Sequence, residues 1–317
     1  MGRRVLVIGG SGFIGHAVVR RLAAAGDEIW VLNRGSRPLP EATQLTADRD
    51  DPAQVAAALD GHAFDLAIDT VCYTPVQVEA ILAALDGRTP RYLVISSVAV
   101  YTRPTSAPPG EAHPGGGPPI WGDYGRNKAG VEEATSRAAG RFEAVTVVRP
   151  PYVFGPGNKH DRERWFWARQ LAGRTVLLPG AGDAPVQFIH EDDLAAAIDV
   201  LGSAAAAGYQ IYNTADAQVL TLSQLATLLA GVAGVEDRQV AAGPAAGDRD
   251  PLSWFPFRDY PCLGDPARIM AETSWRPDGS LDDRFKETFE ALGADRLRSH
   301  PIDTAIEDEI LARLGRR

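Results

Sequence analysis

The chain has 317 residues, of which 45% are hydrophobic and 23% are charged, as is ordinary for a globular protein with one large domain or two coupled ones. The formal net charge of −9 argues against a nucleic-acid-binding surface, and no run of eighteen apolar residues predicts a membrane span. Because Cys72 and Cys262 are the only cysteines, we expect neither a disulfide framework nor a metal site. The sequence predicts a cytoplasmic protein without a nucleic-acid or membrane partner.

The first predicted strand leads directly into a glycine-rich turn. An apolar run at residues 5–8 precedes Gly9, Gly12 and Gly15, and a helix is predicted over residues 13–25. Glycines let the backbone approach a pyrophosphate, and the N–H groups at the start of the helix attract the anion. The spacing G-x-x-G-x-x-G has one residue more in its first gap than the motif of many dehydrogenases. We therefore predict a dinucleotide site with these contacts: Gly9, Ser11, Gly12, Phe13, Ile14 and Gly15.

The second predicted strand, residues 28–32, ends at Asn33 and Arg34. An acidic residue at this point would bind the adenosine ribose and repel a 2′-phosphate, whereas a guanidinium group can bind that phosphate. Asn33 and Arg34 therefore favour NADP(H) over NAD(H) as the cofactor, and NAD(H) stays possible. Arg37 is a second candidate for the phosphate, and the alternative is that Arg34 is simply a solvent-exposed loop arginine.

Strands and helices continue to alternate along the chain. A weak strand is predicted at 44–47, a helix at 53–59 behind a cap at Asp51, a strand at 64–71 and a helix at 76–85. Asp48 is interpreted either as an adenine contact or as the helix cap, and Arg49 and Val71 are further candidate cofactor contacts. This alternation predicts an α/β fold with a Rossmann-type doubly wound parallel sheet.

A strand at 91–100 carries Ser96 and Ser97 near its carboxyl end, the edge of a parallel sheet where ligands bind. The segment 102–121 is rich in Pro and Gly and predicts an irregular loop or a mobile flap. A helix then begins near Tyr124, with Asp123 as its predicted cap.

Tyr124 and Lys128 are spaced i and i+4, so both lie on one face of that helix. An ammonium group beside a phenol lowers the phenol pKa from its reference value of ~10. Tyr124 is therefore predicted to transfer a proton near neutral pH while Lys128 also binds the cofactor ribose, and Ser97 is predicted to hold the substrate oxygen.

Four segments, GGSGFIG, ISSVAVY, YGRNK and RPPYVFGPGN, together resemble the extended and atypical short-chain dehydrogenase/reductase family of the NAD-dependent epimerase/dehydratase type. The resemblance covers about residues 3–230 and implies that Ser97, Tyr124 and Lys128 are catalytic. It also implies a supporting role for Ser96, cofactor contacts from Pro150 and Val153, and a possible homodimer. Dehydratases of this family carry Asp-Glu after the catalytic hydroxyl, whereas this chain has Val98 and Ala99, which disfavours dehydration.

The remaining chain predicts a smaller mixed C-terminal substrate-binding region. We assign residues 1–154, with roughly 186–214, to the dinucleotide-binding domain, and residues 155–185 and 215–317 to the substrate-binding region. The candidate contacts for a small-molecule substrate are Tyr101, Trp165, Gln187 and Arg258, whereas His190 is interpreted as structural or as lining the pocket and not as catalytic.

These observations predict an NADP(H)-dependent oxidoreductase that moves a hydride between nicotinamide and a carbonyl or alcohol carbon, with ketone reduction as the favoured direction. One alternative is an NAD-dependent nucleotide-sugar epimerase. The other is a dinucleotide-binding protein without catalytic activity.

Overall fold

The computed structural model describes residues 2–103 and 105–315. The strands are β1 Arg4–Ile8, β2 Glu28–Asn33, β3 Thr43–Thr46, β4 Leu66–Asp69, β5 Arg91–Ile95, β6 Ala144–Arg149, β7 Tyr152–Phe154, β8 Val176–Leu178, β9 Pro185–Val186, β10 Phe188–His190, β11 Gly208–Asn213, β12 Leu220–Thr221 and β13 Gln239–Ala241. The helices are α1 Phe13–Ala24, α2 Pro52–Leu59, α3 Pro75–Leu85, α4 Gly122–Ala138, α5 Arg162–Leu171, α6 Glu191–Ser203, α7 Leu222–Ala233, α8 Ala267–Glu272, α9 Leu281–Leu292, α10 Ala294–Arg298 and α11 Ala305–Arg313. Among these described residues, none of the helices has the length and hydropathy that crossing a membrane requires.

A seven-stranded parallel sheet in the order β11-β6-β5-β4-β1-β2-β3 is the main feature of the fold. Alternate side chains of β1 face opposite sides of this sheet, as the twofold periodicity of a strand requires. Val5 and Val7 pack with α1 and α6 in one buried cluster. Leu6 and Ile8 pack with α2, α3 and α4 in the other. The predicted Rossmann-type doubly wound α/β fold is confirmed.

Within the described residues, side chains cap five of the eleven helices. Asp51 caps α2 by accepting hydrogen bonds from the N–H groups of Ala53 and Gln54, as predicted. His190 accepts a hydrogen bond from the N–H of Asp192 through Nδ1 and so caps α6, in agreement with its predicted structural role. Asp123 is a correction, because α4 begins at Gly122 and Asp123 lies in its first turn, where it pairs with Arg126.

The chain forms two compact units. The first comprises residues 1–153, 188–215 and 264–277, and the second comprises 154–187, 216–263 and 278–317. Residues 264–277 therefore join the sheet-containing unit and not the C-terminal region to which the sequence assigned them. The cause is long-range packing. Trp275 lies in the core cluster beside α6 and donates from Nε1 to the carbonyl of Asp193 at 2.9 Å, while Arg268 donates to the carbonyl of Ile211.

The second unit has its own small sheets and aromatic core. Strand β8 pairs with β13 in parallel and β9 pairs with β12 antiparallel. Trp167 is fully buried and donates from Nε1 to the carbonyl of Leu229, and the rings of Phe154 and Phe285 stack with centroids 4.0 Å apart. This unit contains both strands and helices, and its role in substrate binding stays a prediction.

Several described residues of the Pro- and Gly-rich segment after β5 form hydrogen bonds to distant parts of the chain. The N–H groups of Gly116 and Gly117 both donate to the carbonyl of Val100 at 2.9 Å. Asn213, at the end of β11, donates from Nδ2 to the carbonyl of Pro109 and from its backbone N–H to Glu111 Oε1. These partners lie about a hundred positions apart in sequence, so local composition could not reveal them.

Candidate active site

The glycine turn after β1 is shaped for close approach of a ligand. Gly9 has φ of 82° and donates its N–H to the carbonyl of Leu32, while a Cβ added at Gly9 would lie 2.5 Å from a methyl of Val71. A Cβ at Gly15 would lie 2.2 Å from the carbonyl oxygen of Gly9. Helix α1 begins directly after Gly12. Within the described residues, no side chain caps the start of this helix and its first turn has no acidic residue. This turn therefore fits a pyrophosphate, with helix N–H groups left for the anion.

Asn33 ties the glycine turn to the neighbouring strands. Its Nδ2 donates to Ser11 Oγ at 3.1 Å, and its Oδ1 accepts from the N–H of Gly35 and from Nε2 of Gln44. Both polar ends of the Asn33 side chain are therefore used within the protein. Arg34 is exposed, and it forms no hydrogen bond or ion pair within residues 2–103 and 105–315. Its guanidinium group is available to a ligand at this end of the sheet.

Arg49 is bound to Asp69 at the end of β4. Nη1 and Nη2 of Arg49 donate to the two carboxylate oxygens of the fully buried Asp69 at 2.8 and 2.9 Å. The hydroxyl of Tyr92 donates to the same carboxylate. Asp48 is not the cap of α2, since Asp51 takes that position. Of its two interpretations, only the adenine contact stays a prediction, as does the cofactor contact of Arg49.

Ser97 and Ser96 lie just past the end of β5 and have different partners. Ser97 is nearly buried, and its Oγ accepts a hydrogen bond from the N–H of Ala99 at 3.1 Å, which leaves its proton for another acceptor. Ser96 donates from Oγ to Glu132 Oε1 at 2.5 Å. Glu132 in turn forms a buried bidentate ion pair with Arg149 through bonds of 2.9 and 2.5 Å.

Lys128 lies buried on the face of α4 that contacts the sheet. Its Nζ donates to the carbonyls of Cys72 and Ile95, both at 2.7 Å. Burial disfavours the charged ammonium and lowers its pKa to about 8, while the charges of Asp69 and Glu132 oppose this shift.

Tyr124 is 44% exposed, one turn before Lys128 on α4. The Nζ of Lys128 lies 5.9 Å from the Tyr124 ring centroid, so the predicted i, i+4 pair is present.

Three successive positions of α4 contact residues at the end of β5 or directly after it. A Cβ at Gly125 would lie 2.9 Å from the carbonyl oxygen of Ala99, so only glycine allows this approach. Lys128 then binds the carbonyl of Ile95, and Glu132 binds Ser96. Glu132 was missed, although Tyr124, Lys128 and Glu132 follow at i, i+4 and i+8 and their shared helix face was visible in the sequence.

Five other predicted contacts lie in the first unit. Val153 belongs to the core cluster that contains α1 and α6, and Phe13 and Ile14 pack against this cluster. The carbonyl of Pro150 accepts a hydrogen bond from the N–H of Val98. Tyr101 is 5% exposed and donates its hydroxyl to Asn213 Oδ1 at 2.6 Å.

Three candidate substrate contacts belong to the second unit. The Trp165 ring is half-buried and packs against Phe255, with the guanidinium carbon of Arg169 3.8 Å from its centroid. Gln187 is buried and donates from Nε2 to the carbonyl of Asp216, and Arg258 is half-buried. Contact of these residues with a substrate stays a prediction.

Comparison with known proteins agrees with this arrangement. Residues 5–215 match the model of the "NAD dependent epimerase/dehydratase family". The chain is 27% identical to the chloroplast stem-loop binding protein of 41 kDa b of Arabidopsis thaliana over 98% of this chain and 85% of that protein. It is 35% identical to 2′-dehydrokanamycin reductase of Streptomyces kanamyceticus over 62% of this chain and 56% of the reductase.

A solved structure of UDP-glucose 4-epimerase from Thermus thermophilus, in complex with NAD, has the same fold. It superimposes with a TM-score of 0.72 at 20% identity, covering 94% of this chain and 100% of the epimerase. Taken with the family match over residues 5–215, these findings lead to one conclusion: the chain belongs to the NAD-dependent epimerase/dehydratase family and is an enzyme of the extended short-chain dehydrogenase/reductase type.

Proposed function

We propose that this enzyme is an NADP(H)-dependent oxidoreductase that reduces a carbonyl group of a small, sugar-like substrate. The observation that carries the proposal is the fixed arrangement of Ser97, Tyr124 and Lys128, in which α4 is held against the end of β5. The relationship to a sugar reductase supports the direction of the reaction.

The residues have separate roles in this proposal. The glycine turn and the start of α1 hold the pyrophosphate of the dinucleotide, and Lys128 binds the ribose next to the nicotinamide. A bound NADPH supplies the hydride. Ser97 donates a hydrogen bond to the substrate oxygen, and Tyr124 transfers its phenolic proton to that oxygen as the carbonyl becomes an alcohol. Lys128, being positively charged, favours the phenolate that is left on Tyr124.

Arg34 is proposed to select NADPH through the 2′-phosphate. We expect Arg34→Ala to weaken NADPH binding about tenfold, the loss expected for one charge-assisted hydrogen bond. NADH binding should change less than twofold, because NADH lacks this phosphate. Titration of nucleotide-free protein with both cofactors measures the two constants, and equal weakening would reject the role of Arg34.

The charge of Lys128 is expected to limit activity at high pH. Below its pKa of about 8 the ammonium is present, and above this value it is lost, so kcat/KM should fall as the pH rises through about 8. A pH–rate profile from about pH 6 to about pH 10 tests this. The Lys128→Arg variant keeps its positive charge at high pH. Its remaining kcat/KM should therefore not decline as the pH rises through about 8. A wild-type profile that is flat to about pH 10 contradicts the assignment.

The retained alternative is a nucleotide-sugar epimerase, for which the fold of the Thermus enzyme is the supporting observation. Such an enzyme oxidises and re-reduces one substrate and keeps its NAD. Denaturing freshly purified protein and identifying the released nucleotide separates the two functions. Exchangeable NADPH favours the reductase, whereas one NAD per chain that survives purification favours the epimerase. Bound cofactor without any turnover would instead favour the non-catalytic alternative.

A further inference from the structure

Tyr73 is an exposed aromatic residue next to Lys128, the proposed catalytic lysine. Its side chain is 52% exposed, and its hydroxyl has no hydrogen-bond partner in the part of the chain that the structure describes. A tyrosine side chain combines a large apolar ring with a polar hydroxyl, so an exposed ring beside a proposed catalytic group is suited to contact a ligand.

The backbone of Tyr73 is held rigidly. Oε1 of Gln77 accepts hydrogen bonds from the N–H groups of both Tyr73 and Thr74, at 2.8 and 3.2 Å. Thr74 caps α3 in a reciprocal capping box, and Pro75 fixes the first helical residue. The ring is therefore presented from a fixed backbone and not from a loose loop.

The same short segment connects the glycine turn with Lys128, the proposed catalytic lysine. Val71 contacts Gly9, and the carbonyl of Cys72 accepts a hydrogen bond from Lys128 Nζ. The next residue, Tyr73, has its ring centroid 5.2 Å from the same Nζ atom. Residues 71–73 therefore lead from the proposed pyrophosphate site to the Lys128 ammonium group, beside which the ring of Tyr73 is exposed.

Two phenol rings therefore adjoin one ammonium group. The centroids of Tyr73 and Tyr124 lie 5.2 and 5.9 Å from Lys128 Nζ. Partial burial raises the pKa of Tyr73, and the nearby Tyr124 raises it further. Both shifts favour the neutral phenol form of Tyr73.

We propose that Tyr73 is a substrate-contact residue whose ring packs on the face of a cyclic carbonyl compound while the carbonyl oxygen of that compound lies at Ser97 and Tyr124. This inference rests on the proposed reductase function. A ring offers Tyr73 a preorganised apolar face of C–H groups, whereas an open chain of equal carbon number must lose conformational freedom to present one. The substrate class is therefore a cyclic ketone, of which a keto-sugar is one case.

The test compares cyclohexanone with 2-hexanone, each reduced with NADPH by the full-length enzyme. We expect the wild type to show the lower KM for cyclohexanone, and Tyr73→Ala to raise that KM about tenfold, as the loss of an aromatic contact implies. The kcat value and the NADPH dissociation constant should change less than twofold. Tyr73→Phe keeps the ring and should stay within threefold of the wild type.

Val76→Ala is the matched control, because Val76 is 69% exposed and lies three residues further along the chain. It should leave the KM for cyclohexanone unchanged. Equal KM values for the two ketones, or a Tyr73→Ala variant with the wild-type KM, overturn the inference and leave the reductase assignment standing. A rise in the NADPH dissociation constant alone would also overturn it. Failure of the wild type to bind NADPH overturns both proposals, whereas NADPH binding without reduction of either ketone overturns this inference alone.

Discussion

Tyr124→Phe is expected to lower kcat by a factor of about 10² to 10⁴, the usual contribution of one positioned acid–base group. The substitution removes the phenolic oxygen and keeps the ring that lies near Lys128. Because Tyr124 is 44% exposed and the ring is kept, we expect the substitution to leave the fold intact. Steady-state kinetics with NADPH and a carbonyl substrate should therefore show a loss of turnover with an unchanged melting temperature and an unchanged NADPH dissociation constant.

Tyr209→Phe is the matched control for this loss. The Tyr209 hydroxyl donates to the carbonyl of Glu132 in α4 at 3.2 Å and lies outside the proposed site. The control should keep its kcat. Wild-type turnover in Tyr124→Phe would refute the assignment of Tyr124 as the proton donor, whereas a parallel loss in both variants would attribute the effect to α4 as a whole.

The glycine turn and the Tyr124–Lys128 pair were predictable because their signals are local. A buried strand, three glycines and a helix start follow one another within residues 4–24, so the geometry of the turn depends on neighbours in the chain. The i, i+4 spacing of Tyr124 and Lys128 likewise fixes their common helix face without any tertiary information. Helix caps such as Asp51 belong to the same class of signal.

Contacts between distant segments were not predictable from one sequence. Asn213 organises the segment after β5, and Trp275 joins 264–277 to α6, yet neither residue carries a local pattern that names its partner. Arg49 shows the same limit. It lies next to Asp48 in a loop suited to a nucleotide, but the structure pairs its guanidinium group with a buried carboxylate at Asp69. Charged residues have many possible partners in sequence, and burial selects one.

The buried pair of Glu132 and Arg149 is the strongest case of such a long-range contact, and its loss should be costly. Their side chains are 9% and 5% exposed, and burial disfavours the charge of Arg149. The hydrogen bonds and charge of Glu132 outweigh this effect and hold the Arg149 pKa above its usual value. We expect Glu132→Gln to lower the free energy of unfolding by about 3–5 kcal/mol, because it leaves a buried guanidinium group without its counter-charge.

Urea denaturation of Glu132→Gln beside Glu133→Gln measures this loss, since Glu133 is the exposed neighbour on the same helix and should change stability by less than about 0.5 kcal/mol. Removing both charges in Glu132→Gln/Arg149→Met should restore part of the stability, as pairs of this kind can be replaced by apolar groups. Because Glu132 also holds Ser96 next to Ser97, the single variant should lose turnover as well as stability. A Glu132→Gln protein as stable as the Glu133→Gln control would show that the ion pair does not hold α4 against β6.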